Sequence, residues 1–231
     1  MPPTSGFVRM RITALSLAAG LLLTACATPP GGDYGGVTPP PPPPPPPGPG
    51  QGPVLADWRG PITAFDRDRL NRLDRAWAQA LSEARRFEGS GDLASLGALV
   101  DPRAAVSGAE PPPGDYRCRT VKLGNQNTQG LGYVVYGWFD CRIEQTGRGL
   151  KLSKLTGSQR QTGLLFPETP RRLIFLGGLS VADEPPASSY GQNPERDLVG
   201  VFERIGSRRW RLVLPYPQLE STLDVIELVA N

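Results

Sequence analysis

The chain predicts a mainly β protein with an N-terminal α-helix, its strands forming an antiparallel meander that closes into a small eight-stranded barrel. Three observations carry this. Residues from Pro113 onward alternate apolar and polar side chains with period two, in eight separate runs. The breaks between runs are short and rich in Gly, Asn and Pro. One segment ahead of them carries the 3.6-residue period of an amphipathic helix. A two-sheet β-sandwich is the alternative, because both architectures bury one face of each strand.

The elements follow in order. Residues Ile12 to Ala25 are apolar and uncharged and come after Arg9 and Arg11. A basic start, a short apolar stretch and a small-residue end describe an export signal, too short for a spanning helix of roughly 20 residues. A signal starting at Met10 is complete by itself. Residues 1–25 are therefore read as a signal peptide. Residues 26–56 are read as a Gly/Pro-rich tether, with nine consecutive prolines at Pro39–Pro47. Such a run adopts polyproline II and makes a stiff rod of about 28 Å.

The globular part is residues 57–231, one domain, helical over 62–100 and β over 113–230. The period predicts a helix over Phe65–Glu88, with Leu70, Leu73, Trp77, Leu81 and Ala84 on one face. Thr63 and Asp66 form its start signal, and Gly89 and Gly91 stop it. A second short helix is expected over Asp92–Val100. The expected strands are Asp115–Leu123, Tyr133–Glu144, Leu150–Leu155, Gln159–Phe166, Arg171–Val181, Asp197–Ile205, Arg209–Leu214 and Leu223–Val229. The arginines at Arg67, Arg69, Arg72 and Arg75, and at Arg208, Arg209 and Arg211, alternate with acids or strand residues. They are expected on solvated faces.

Charge excludes one class of partner. Removing Arg9 and Arg11 with the signal takes the basic residues from 25 to 23 against 22 acidic ones, a net charge of +1. A nearly neutral domain lacks the electrostatic footprint of a nucleic-acid binder. The chain has no histidine, so Ser-His-Asp and Cys-His catalysis are excluded and a zinc site is disfavoured. No phosphate-binding glycine loop and no Ser-x-x-Lys motif occur. No catalytic residue, metal or cofactor is therefore assigned. Carboxylates at Glu195, Asp197, Glu203, Asp224 and Glu227 leave a carboxylate-dependent hydrolase as one alternative function, and a structural spacer as another.

Leu23-Thr24-Ala25-Cys26 resembles the lipobox of bacterial lipoproteins. That resemblance implies lipid on the Cys26 thiol, cleavage before it and permanent attachment to a membrane. Ala27 is not the aspartate that retains such proteins in the inner membrane. The resemblance therefore implies the cell envelope, at the periplasmic face of the outer membrane. With Cys26 lipidated, Cys118 and Cys141 remain as an even pair in an oxidising compartment. They lie in neighbouring expected strands and are predicted to form a disulfide.

The body of the chain resembles the bacterial envelope family known as domain of unknown function 4893. The matching stretches are Pro112–Arg119, Lys154–Arg160, Arg172–Gly177, Tyr190–Gly191, Glu195–Asp197, Glu203–Gly206, Arg209–Pro217 and Leu223–Leu228. The resemblance spans Trp58 to Val229 and implies no established activity. In outline the expected barrel is lipocalin-like, an analogy that does not fix function. The expected function is a lipid-anchored envelope protein whose barrel binds a protein or a small ligand without catalysis. Aromatic, arginine and acidic residues near loops are the binding candidates: Tyr116, Arg160, Tyr190, Arg196, Asp197 and Trp210. The contact surface is expected at the barrel end that carries the long Ala182–Arg196 loop.

Overall fold

A computed structural model describes residues 57–126 and 130–231; the expected signal, Cys26 and the tether lie outside the described residues. Helix α1 spans Ala64–Asn71 and α2 spans Leu73–Arg86. The expected single helix is thus two, divided at Arg72, whose backbone (φ −94°, ψ 14°) leaves the helical region. Thr63 caps α1 as its position suggests, its Oγ1 accepting from the Asp66 N–H at 3.1 Å. Helix α2 buries Leu73, Ala76, Trp77, Ala80 and Ala84, while Leu81 is only half-buried. The buried stripe is centred on the alanines because small side chains let the helix axis approach the sheet closely. The expected second helix is a 3-10 segment, Ala94–Val100, kinked at Gly97 (φ 51°).

Ten strands follow the chain. They are β1 (Gly89–Ser90), β2 (Gly114–Leu123), β3 (Tyr133–Val135), β4 (Phe139–Thr146), β5 (Gly149–Lys154), β6 (Gln159–Thr169), β7 (Arg172–Val181), β8 (Asp197–Gly206), β9 (Arg209–Pro215) and β10 (Leu223–Ala230). Strands β4 to β10 form an antiparallel meander, and β2 pairs with β10 on one edge and with β4 on the other. The sheet is therefore a closed eight-stranded barrel, which leaves no exposed edge among its eight strands. Strands β1 and β3 extend it outside the closure.

The expected strand Tyr133–Glu144 is interrupted. Val135 pairs with Val121 and Phe139 with Cys118, so four steps along one strand oppose three along the other. The extra residue, in the stretch Tyr136-Gly137-Trp138, is a bulge that turns β3 away from the barrel.

The predicted disulfide is present, Cys118 to Cys141, with Cα atoms 5.8 Å apart. Cys118 pairs with Phe139 and Cys141 with Tyr116, so the cysteines are diagonal neighbours on the inner wall. They join β2 to β4 across the seam that closes the barrel.

Two apolar clusters sit on opposite sides of the barrel wall. The inner one fills the lumen with Tyr116, Ile143, Leu165, Phe175, Phe202, Trp210 and their neighbours. Gly163 and Gly177 face each other across β6 and β7, and a Cβ on either would meet the Phe175 ring within 2.7 Å. The glycine pair makes room for that ring. The outer cluster packs Leu73, Trp77, Ala80, Leu96 and Leu99 onto Val121, Val199, Val201, Val213 and Val225. Strands β8, β9 and β10 are accordingly buried on both faces.

This second layer overturns the expectation for two arginines. Arg211 is 0% exposed and Arg69 is 1% exposed. Arg211 lies on the outer wall beneath the 3-10 segment. Its guanidinium donates to Glu203 at 2.7 and 2.9 Å and to the carbonyls of Ala98, Leu99, Asp101 and Pro102 at 2.7–3.4 Å. Glu203, Arg211, Glu227 and Arg119 are directly paired across β8, β9, β10 and β2. They form one row of alternating sign on the outer wall, the arrangement that cross-strand pairs favour.

Candidate functional site: the loop end of the barrel

The two ends of the barrel differ. At one end residues 101–113 run across the β6–β7 and β8–β9 turns. Val106 N–H bonds to Arg204 O at 2.9 Å, and Gly108 and Ala109 bond to Pro170 O at 2.8 and 3.1 Å. Ala109 packs into the lumen cluster. Tyr116 donates to Pro112 O at 2.6 Å and stacks edge-on against Trp210, centroids 5.8 Å apart. Burial pushes the Tyr116 hydroxyl up to about 12. This end is plugged. Tyr116 and Trp210, expected to bind a partner, are lumen residues here, 2% and 4% exposed, at the rim of a hollow of about 650 Å³.

The other end gathers the loops after β2, β5, β7 and β9, including Ala182–Arg196, and inner-wall ionisable groups. Lys122 and Asp224 pair across β2 and β10, in the same inward phase as Cys118 and Ile226. Lys122 Nζ lies 2.9 Å from Glu220 and 3.7 Å from Asp224. Ser221 Oγ donates to the second Asp224 oxygen. Burial raises the Asp224 carboxyl from its ordinary value, partly offset by Lys122 and the Ser221 hydroxyl. Burial pulls the Lys122 ammonium down, but Asp224 and Glu220 outweigh it and the net shift is upward. A cavity of about 310 Å³ opens here, lined by Lys122, Glu220, Ser221, Leu131, Tyr133 and Tyr136. Glu220 sits at φ 67°, a left-handed conformation uncommon for a non-glycine residue.

On the β5 side of the same end, Lys154 donates to Thr156 O and Gln159 O, both at 2.8 Å, and its Nζ sits 3.9 Å above the Phe139 ring. Burial first, and Arg160 second, bring its pKa down to about 8. Sequence reasoning missed Lys122, Lys154 and Asp224 as an ensemble. The available signal was a lysine in the phase of Cys118.

The remaining expected binding residues fasten the Ala182–Arg196 loop. Arg160 donates to the carbonyls of Gly157, Ala182 and Glu184 at 2.6–3.1 Å. Arg196 pairs with Glu184 at 2.8 Å. Tyr190 donates to Asp66 at 2.5 Å and accepts from the Thr63 N–H at 3.1 Å; burial raises its hydroxyl to about 12. Asp66 also holds the buried Arg69 at 2.9 Å. Asp197 accepts from the Gly191 N–H at 3.0 Å; its carboxyl is raised by burial. These contacts clamp the loop to α1 and β8. Tyr190 also borders a groove of about 450 Å³ on the outer wall of β6 and β7.

The six expected residues thus fall at two ends of the barrel and do not form one site. Glu203 and Glu227 are engaged by Arg211 and by Arg119 and Arg209. Among the described residues no group of three or more acidic, cysteine or histidine side chains is placed to hold a metal ion.

Comparison with curated proteins and with solved structures gives no match. A family profile does match, over residues 58–228, which is the helical layer and the barrel together. The chain belongs to the family described as domain of unknown function 4893.

Proposed function

We propose that this chain is an exported, lipid-anchored protein of the bacterial envelope whose barrel is a non-catalytic binding module, used from its loop end. The observation that carries the reading is the asymmetry of the barrel. One end is plugged by residues 101–113. A hollow of about 650 Å³ lies at that end, with no buried ion pair among its described lining residues, whereas the other end carries a cavity of about 310 Å³ with the buried Lys122–Asp224 pair at its wall. That volume falls in the range of small-molecule sites, with apolar walls and a few placed polar groups. The export side of the proposal rests on Leu23–Cys26, on the proline run that would hold the barrel away from the lipid, and on the disulfide, which suits an oxidising compartment. The outer membrane is the proposed address.

Two experiments test it in cells making the full chain. Cys26→Ala should move the protein out of the membrane fraction or leave it uncut; a variant that stays membrane-bound and normally processed refutes the anchor. A photo-crosslinking residue placed at Tyr136, on the loop end, should give a discrete adduct. The same residue at Arg208, on the plugged end, should give none. Adducts only at Arg208 would reverse the assignment of the binding end.

A further inference from the structure

We infer that the loop-end cavity is a binding site for a small monocarboxylate with an apolar body, and that Glu220 occupies the carboxylate's place in the empty site. The inference rests on the reading of the loop end as the binding end, and names its ligand class.

The buried cation comes first. A charged pair inside a barrel is weak evidence for stability, because apolar residues of similar volume serve folding as well or better. Lys122 is 7% exposed as a residue. Its Nζ is buried between two carboxylates, 2.9 Å from Glu220 and 3.7 Å from Asp224. An ammonium has three donors and no acceptor. Here two carboxylates face those donors, and the Lys122 side chain forms part of the cavity wall.

The two carboxylates beside it are not equivalent. Asp224 is on a strand, 3% exposed, directly opposite Lys122 and held by Ser221. It fixes the lysine and keeps it charged. Glu220 is on a loop at φ 67°, and its side chain is 61% exposed. It reaches back over the cavity mouth to lie 2.9 Å from Nζ. The Glu220 side chain is exposed, so water can take up its carboxylate once it leaves Nζ. An incoming carboxylate would replace it like for like.

The other walls set the rest of the ligand. Leu131, Tyr133 and Tyr136 line the cavity, and Leu131 and Tyr136 are among the large exposed hydrophobic side chains of the surface. They offer apolar area for a short chain or ring. Asp224 and Glu220 repel a dianion, which favours a carboxylate over a phosphate. Lys122 repels an amine.

The test is calorimetric titration of the mature protein with octanoate, octyl phosphate and octylamine. Octanoate should bind at one site per chain, more tightly than the other two. Glu220→Gln should tighten octanoate roughly 3-fold or more, because the internal competitor is gone. Lys122→Met should weaken it roughly 10-fold or more, the loss of a charged hydrogen bond. Should Lys122→Met fail to fold, Glu220→Gln still decides, since that side chain is exposed. Octanoate binding to neither the parent nor Glu220→Gln overturns the inference. So does weaker binding by Glu220→Gln, or a preference for the phosphate or the amine. Absent octanoate binding with a persistent crosslink at Tyr136 removes the ligand class and keeps the binding end; loss of both removes both.

Discussion

Arg211→Met should be among the most destabilising substitutions in the barrel wall. The guanidinium is wholly buried and makes six hydrogen bonds, two to Glu203 and four to carbonyls of residues 98, 99, 101 and 102. Methionine fills much of the same volume, so the loss is polar rather than steric. Glu203 would keep only Arg172, 3.8 Å away and itself 43% exposed. Removing one partner of a buried pair costs about 3–5 kcal/mol because it leaves the other charge uncompensated. For a domain of this size that lowers Tm by roughly 6–20 °C. The carbonyls belong to the segment that links α2 to the barrel, so the same change should expose residues 94–102 to proteolysis. The assay is urea and thermal unfolding followed by circular dichroism, for Arg211→Met, Glu203→Met and the double variant. The double variant should be more stable than either single one, since apolar pairs replace buried ion pairs at little cost. A single-variant loss below about 1 kcal/mol, or a double variant whose losses simply add, would refute the account of Arg211 as a compensated buried charge.

Two further outcomes follow from the seam and from the loop end. Replacing Cys118 and Cys141 by serine frees a loop of 23 residues' separation; the chain-entropy account gives about 3.5 kcal/mol lost, and an unfolding midpoint unchanged from the oxidised parent would contradict it. Lys154, at about 8 in the folded chain against 10.5 for the free side chain, is depressed by burial and by Arg160. Below pH 8 both states are protonated and the cost of burying the ammonium is fully present. Between about pH 8 and 10 the native state releases its proton first, so stability should rise with pH. Lys154→Met should flatten that rise, and an unchanged slope would show that another group causes it.

The strands were legible because the chain alternates strictly where only one face is buried. Strand β4 shows it well, with Cys141 and Ile143 inward and Asp140, Arg142 and Glu144 outward. The same rule misplaced Arg211. In β9 the residues Leu212, Val213 and Leu214 are apolar on both phases, as are Leu198, Val199, Val201 and Phe202 in β8. Near-continuous apolar runs mark strands buried on both sides, so these strands announced a covering layer that period-two reasoning discards. Arg69 was misplaced for a related reason. On a helix a charged residue reads as solvent-facing by default; Asp66 is a local i−3 partner, and the tertiary contacts, Pro215 O to Arg69 and Tyr190 to Asp66, are what bury the pair. The division of the helix at Arg72 and the bulge at Tyr136–Trp138 had weaker signals, since neither position carries a proline.

The candidate site was less legible than the fold, and the reason is physical. Loop position suggested Tyr190, Arg196 and Asp197, because recognition residues often lie on loops held by a rigid scaffold. A loop of that length must itself be held, and these side chains hold it. Tyr190 commits its hydroxyl to Asp66 and Thr63, Asp197 its carboxylate to the Gly191 N–H, and Arg196 its guanidinium to Glu184. The more informative residues were those that break the inward pattern. Tyr116, Cys118, Thr120 and Lys122 share one phase of β2, and that phase is inward because Cys118 and its disulfide partner Cys141 both sit in the lumen cluster. A lysine four residues further along must then face the lumen too. An ammonium there is costly without partners; Lys154 has two carbonyls and the Phe139 ring, and Lys122 has Asp224, in phase with Ile226 and Leu228. The disulfide and the strand pairing together mark the loop end of the lumen as a place where charged groups enter the core.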